Sequence, residues 1–101
     1  MSAVVVNHLQ LAIPADDFAA TVQREFPPAL DAQPGFERFY LVKTAEDAVT
    51  VVIVWSSQEA AATGSAVIGP TLFHDYVVPL LRAPQNRVVG DAVVVHEAGR
   101  S

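Results

Sequence analysis

The chain predicts an α+β fold: a four-stranded antiparallel sheet in β-α-β-β-α-β order with both helices on one face, the ferredoxin-like arrangement. Three observations predict it. Four runs, residues 4–13, 36–43, 48–55 and 87–96, read as strands: the first, third and fourth are apolar and rich in Val or Leu, and residues 36–43 keep a strand rhythm. Between the first and second runs, and again between the third and fourth, apolar residues recur at helical spacing. Only Thr44-Ala45-Glu46-Asp47 separates the two middle runs, so they form an antiparallel hairpin. Right-handed crossovers then place both helices on the same side of the sheet.

Each element has its own signals. The first strand ends at Pro14, and Asp16 or Asp17 supplies a helix N-cap with negative charge in the first turn. Phe18, Val22, Phe26 and Leu30 form one helical stripe, which Pro27-Pro28 should break or kink. Gln33-Pro34-Gly35 is a stop-and-turn signal before the hairpin. Ser56-x-x-Glu59 reads as a capping box opening an Ala-rich helix that meets Gly64. Gly69-Pro70 predicts a restart, with Leu72, Phe73, Tyr76, Val77, Leu80 and Leu81 as its apolar face and Pro79 disturbing the last turn. The final run contains Gly90, and residues 97–101 should fray.

Composition bounds the function. The 101 residues form one domain, residues 1–101 with a core of 4–96; the chain is 51% hydrophobic and 17% charged, which excludes a disordered chain. Val and Ala contribute 33 residues, so the apolar mass is mostly short or β-branched. Both faces of the first strand are apolar: Val4, Val6 and Ala12 alternate with Val5, Leu9 and Leu11. Helices cover one face only, so the other should meet the sheet of a second copy, giving a homodimer. With no cysteine there is no disulfide, no thiolate metal site and no Cys nucleophile. A net charge of −5 argues against nucleic acid as a partner. The longest near-apolar stretch, residues 48–55, falls far short of the about 20 residues needed to span a bilayer. No basic segment precedes Val4, so no signal peptide is expected, and a soluble, cytoplasmic domain is the resulting expectation.

Pro34-Gly35-Phe36, the hairpin, Val54-Trp55-Ser56-Ser57-Gln58-Glu59-Ala60 and Pro79-Leu80-Leu81 together resemble the antibiotic biosynthesis monooxygenase family. The resemblance covers residues 4–96 in element order and implies a dimeric α/β barrel. Members include cofactor-independent monooxygenases that oxidise aromatic polyketides or quinols to quinones, and others that degrade heme. In the heme-degrading branch a first-strand Asn falls on Asn7, the heme-ligating His on His74, and the tryptophan that distorts the porphyrin on Gly64, a departure from the pattern.

These residues are the candidates for chemistry. Asn7, a lone amide in an apolar strand, is read as orienting substrate or dioxygen, against a purely structural amide. His74 is assigned proton abstraction from a phenol or hydroquinone, against an edge-of-core histidine. Trp55 and Phe73 are expected as walls of an aromatic-binding pocket, with Tyr76 and Tyr40 as phenols able to bond a substrate carbonyl. Arg38, among Phe36, Phe39 and Tyr40, reads equally as a dimer ion-pair partner or a substrate anchor. A metal site from His8, His74 and His96 would need residues from both sheet faces and is not expected. The leading expectation is a cofactor-independent monooxygenase acting on a small aromatic molecule with dioxygen. The alternatives are heme binding and degradation, or a non-catalytic ligand-binding or structural dimer.

Overall fold

A computed structural model of the chain describes residues 1–99. The elements run β1 (Ala3–Gln10), α1 (Ala15–Asp31), β2 (Phe36–Ala45), β3 (Ala48–Trp55), α2 (Gln58–Ile68) and β4 (Asn86–Asp91). A π-helical segment, Gly69–Val77, and a single 3-10 turn, Val78–Leu80, continue α2 toward β4. The four strands pair antiparallel in the order β2-β3-β1-β4, as the β-α-β-β-α-β reading predicts.

The core lies between the sheet and the helices. Ala3, Val5, Asn7 and Leu9 of β1 are buried, while Val4 and Val6 are only half-buried and His8 and Gln10 are exposed. From α1 the predicted stripe of Phe18, Val22, Phe26 and Leu30 is buried against this face. Across the sheet, residues in register form rows. Phe39, Ile53, Val5 and Val89 make one row toward the helices; Leu41, Val51, Asn7 and Arg87 make the next. The opposite face carries Tyr40, Val52, Val6 and Val88 in one row, with no helix over it.

Several boundaries differ from the sequence expectation. Helix α1 is unbroken through Pro27 and Pro28. Pro28 is exposed and Pro27 half-buried, so carbonyls left without a donor can turn to water, while Phe26 and Leu30 on either side are buried and anchor the turn. Pro14 rather than an aspartate occupies the N-cap position of α1; Asp16 and Asp17 fall inside the first turn, where their charge suits the helix dipole. The cap of α2 is Ser57, whose Oγ accepts from the Ala60 N–H at 3.0 Å, and not Ser56. Ser56 instead donates its backbone N–H to the Gly35 carbonyl at 2.7 Å. Gly35 itself has φ +81°, and a β-carbon there would stand 2.6 Å from both Ala60 Cβ and Ser56 Oγ, so the predicted turn needs glycine twice over.

The second helix does not stop at Gly64 and restart at Gly69-Pro70. It continues, but its winding loosens to the π form at Gly69. Pro70 has no N–H, and its ring displaces the carbonyl one α-turn back, which wider π turns accommodate. Thr71 supports the junction by donating its hydroxyl to the Val67 carbonyl at 2.7 Å. Pro79 then falls in the 3-10 turn, the irregular last turn that was expected. At the sheet's ends, β1 stops at Gln10 and β4 at Asp91, short of residues 13 and 96. The reason is a lack of neighbours: Gln10 pairs with Ala48, the first residue of β3, and Asp91 pairs with Ala3, the first of β1. After a last bond from the Ala92 N–H to the Ser2 carbonyl, Val93, Val94 and Val95 are exposed. Among the described residues, no helix is long and apolar enough to cross a membrane.

Candidate active site

A cavity of about 450 Å³ opens between the sheet and the helical layer. That is the size range of small-molecule sites. Val5, Val51, Ile53 and Phe39 form its floor, Phe18, Val22 and Phe26 of α1 one wall, and α2 with the π-helical segment the other, through Ala62, Ala66, Ile68, Gly69, Phe73 and Val77. Trp55 also lines it. The polar lining residues are Asn7, Ser65, Gln85 and Arg87, so an apolar body is met by a few placed polar groups.

Asn7 is the one buried polar residue among those described, at 5% exposure. The pleat of β1 turns it to the helix face with Val5 and Leu9, as alternation predicts. Its Nδ2 donates to Gln85 Oε1 at 2.6 Å, while its Oδ1 is buried with no hydrogen-bond partner. Leaving such an acceptor unmet costs roughly 1–3 kcal/mol. Trp55 is 1% exposed, and its Nε1 is likewise buried and unpartnered. Its ring meets Phe36 edge to face at 5.9 Å, and its six-membered portion lies beneath Gly64, where a β-carbon would overlap it. The glycine in α2 therefore makes room for the tryptophan of β3.

The remaining expected site residues separate. Phe73 lines the cavity. His74, its neighbour, does not: it is exposed on the outer side of the π-helical segment, with Nδ1 3.2 Å from Asp75 Oδ1. Asn7 and His74 therefore do not share the cavity. Tyr76 packs against the core without lining it. Tyr40 is half exposed on the opposite face of the sheet, where its hydroxyl accepts from Arg38 at 3.4 Å. Arg38 also pairs with Glu97 at 3.3 Å; the Tyr40 bond and then the Glu97 charge hold its guanidinium above the usual arginine range. In the single chain it is paired at the surface and does not line this cavity. Gln85 and Arg87 were missed from the sequence. Only the β1–β4 register, which sets Asn7 opposite Arg87, brings them to the site.

Among the described residues no cluster of three His, Cys, Asp or Glu could hold a metal ion. The lining also lacks any imidazole, thiolate, thioether or phenol, the side chains that bind heme iron. The residues present do not fit heme.

No protein-family model matches the chain, and no curated protein matches it by sequence. Solved structures do. SnoaB, a cofactor-independent oxygenase from Streptomyces nogalater, superposes with a TM-score of 0.77 at 18% identity, covering 93% of this chain and 95% of that one. The monooxygenase ActVA-Orf6 of Streptomyces coelicolor, in complex with nanaomycin D, gives 0.77 at 17% identity over 97% of this chain and 93% of its own. A MhuD mutant carrying two manganese protoporphyrins per active site gives 0.72 at 17% identity over 95% and 99%. The chain has the fold of the antibiotic biosynthesis monooxygenases. The similarity extends over nearly the whole of each chain.

Proposed function

We propose that this protein is a cofactor-independent monooxygenase that oxidises an aromatic polyketide- or quinol-like molecule inside the cavity. The observation that carries the reading is the pairing of an apolar, ring-lined cavity with a single buried amide, Asn7, whose oxygen has no partner. The shared fold with SnoaB and ActVA-Orf6 supports it. In such chemistry the substrate supplies its own reducing power. A ring carbon activated by a neighbouring carbonyl or hydroxyl loses a proton, and the carbanion reacts directly with dioxygen. For a ring CH₂, one oxygen atom becomes the new carbonyl and the other leaves as water. Asn7 orients the substrate oxygen or the dioxygen, and Phe73, Phe26 and Trp55 hold the ring system. His74 takes no part, because its imidazole stands outside the cavity.

The functional unit in this reading is a homodimer. The row of Tyr40, Val52, Val6 and Val88 is apolar, and Tyr40 and Val88 are 49% and 57% exposed in the single chain. A second copy's sheet is the covering surface. Oxygen-electrode measurements with anthrone test the activity. Uptake of one dioxygen per anthrone, with anthraquinone as product and no added metal or flavin, is the expected result. No uptake with anthrone or with hydroquinones would reject the reading in favour of a ligand-binding dimer.

A further inference from the structure

We infer that the substrate carries an ionised acidic group, a carboxylate on its aromatic frame, and that Arg87 is the residue that selects it. This rests on the reading of the cavity as a substrate site. Three observations support it. First, Arg87 is the only charged side chain among the lining residues, and no carboxylate lines the cavity beside it. Second, it has no counter-charge among the described residues. Every other described lysine or arginine lies within salt-bridge distance of a carboxylate: Arg24 with Glu25 at 3.1 Å, Arg38 with Glu97 at 3.3 Å, Lys43 with Asp16 at 3.2 Å and Arg82 with Asp47 at 3.3 Å. Among the described residues, Arg87 is bound only to a neutral hydroxyl, its Nη2 donating to Ser65 Oγ at 3.2 Å. In a chain with eleven acidic and six basic residues, a cation left free at an apolar cavity is not an average outcome of surface charge. Third, the anchor is held in place. Ser65 on α2 ties the guanidinium across the mouth between β4 and the helix, while Asn7, in register with Arg87 on β1, waits deeper with an unmet acceptor.

The two groups divide the ligand between them. The guanidinium is exposed at the mouth, where water can solvate an incoming carboxylate until a forked pair forms. Asn7 sits on the buried side, facing the ring oxygen or the dioxygen. A molecule that fits both is an apolar, multi-ring body with its acid toward the guanidinium and its oxidisable carbon toward Asn7. The carboxylate fixes which end enters first, so Arg87 sets both affinity and orientation.

The single tryptophan of the chain lies in the cavity wall, so its fluorescence reports occupancy directly. The experiment titrates anthracene-2-carboxylate and anthracene-2-carboxamide, equal in ring size and different in charge, into wild type, Arg87→Gln and Arg87→Lys. For wild type at low salt the carboxylate should bind about tenfold more tightly than the carboxamide, and that preference should shrink as salt rises. Arg87→Gln should bring the two probes to within twofold of each other. Arg87→Lys should restore part of the preference, since it keeps the charge and loses the fork. Equal binding of the two probes to wild type, or an unchanged carboxylate preference in Arg87→Gln, would overturn the assignment of Arg87 and leave the aromatic cavity standing. Quenching by neither probe would overturn the cavity reading beneath it.

Discussion

Gly64 lies directly over the indole of Trp55, so close that a β-carbon at position 64 would overlap Cη2 and Cζ3 of the ring. The tryptophan at the end of β3 and the glycine in the middle of α2 are thus one packing unit. Gly64→Ala adds a single methyl with nowhere to go, because the indole is 1% exposed and fixed against Phe36. Overpacking of this kind costs about 1–3 kcal/mol, and the rigid ring places Gly64→Ala at the upper end. A urea titration should show the midpoint falling accordingly. In the double variant Gly64→Ala/Trp55→Phe, where the overlapping part of the ring is gone, the loss should be smaller than the sum of the two single changes.

The same contact bears on heme. The tryptophan that the heme-degrading branch of the family places in its second helix aligns with Gly64, and that space is already filled by Trp55. With His74 outside the cavity as well, hemin titration should give no saturable Soret shift at micromolar protein. A saturable shift abolished by His74→Ala would show that the imidazole reaches the cavity after all.

In the proposed reading Asn7 trades stability for function. Its Oδ1 is buried without a partner, whereas Gln85, the acceptor of its Nδ2 bond, is exposed and can turn to water if that bond is lost. Asn7→Leu removes the unmet acceptor, keeps the branched shape beside the cavity and strands nothing. It should therefore raise the unfolding free energy by about 1 kcal/mol, read from urea curves, while cutting oxygen uptake with anthrone about 100-fold. A variant that loses stability and activity together would mark Asn7 as structural.

Much of this was legible in the residues, and the misses have physical causes. The stripe of Phe18, Val22, Phe26 and Leu30 and the alternation that turns Asn7 inward are local periodicities, and both hold in the structure. The π-helical winding after Gly69 was not legible. Widening the helix at Pro70 changes the angular spacing of every later residue, so Phe73 faces the cavity and His74 faces solvent. Gln85 and Arg87 were invisible for a different reason. They reach the site through strand register, and no local pattern announces which residue of β4 stands opposite Asn7. The strand ends failed similarly: residues 92–96 are as Val-rich as any strand, but β1 leaves them no partner.

His74→Ala checks the consequence of that winding. The imidazole is exposed and its one polar partner is the adjacent Asp75, so it holds neither the fold nor the cavity. Oxygen uptake and the denaturation midpoint should both stay within about twofold and about 0.5 kcal/mol of wild type. A loss of more than tenfold in uptake at unchanged stability would return proton transfer to this residue.

Val52→Glu probes the uncovered face of the sheet. Val52 sits at the centre of the row from Tyr40 through Val6 to Val88, on β3 between β2 and β1. In a single chain its side chain is half-buried among its row neighbours with no helix over it, so a carboxylate there can reach water. Between two sheets the same carboxylate would be stripped of water and would face its own symmetry mate, a repulsive and desolvated pair worth several kcal/mol. Wild type should therefore sediment at twice the 10.8 kDa chain mass, and Val52→Glu at the chain mass with its circular dichroism spectrum intact. The cavity opens on the other face of the sheet, so the monomeric variant should still quench Trp55 fluorescence with an aromatic probe. A wild type that sediments as a monomer would leave the Tyr40–Val88 row without a second copy to cover it.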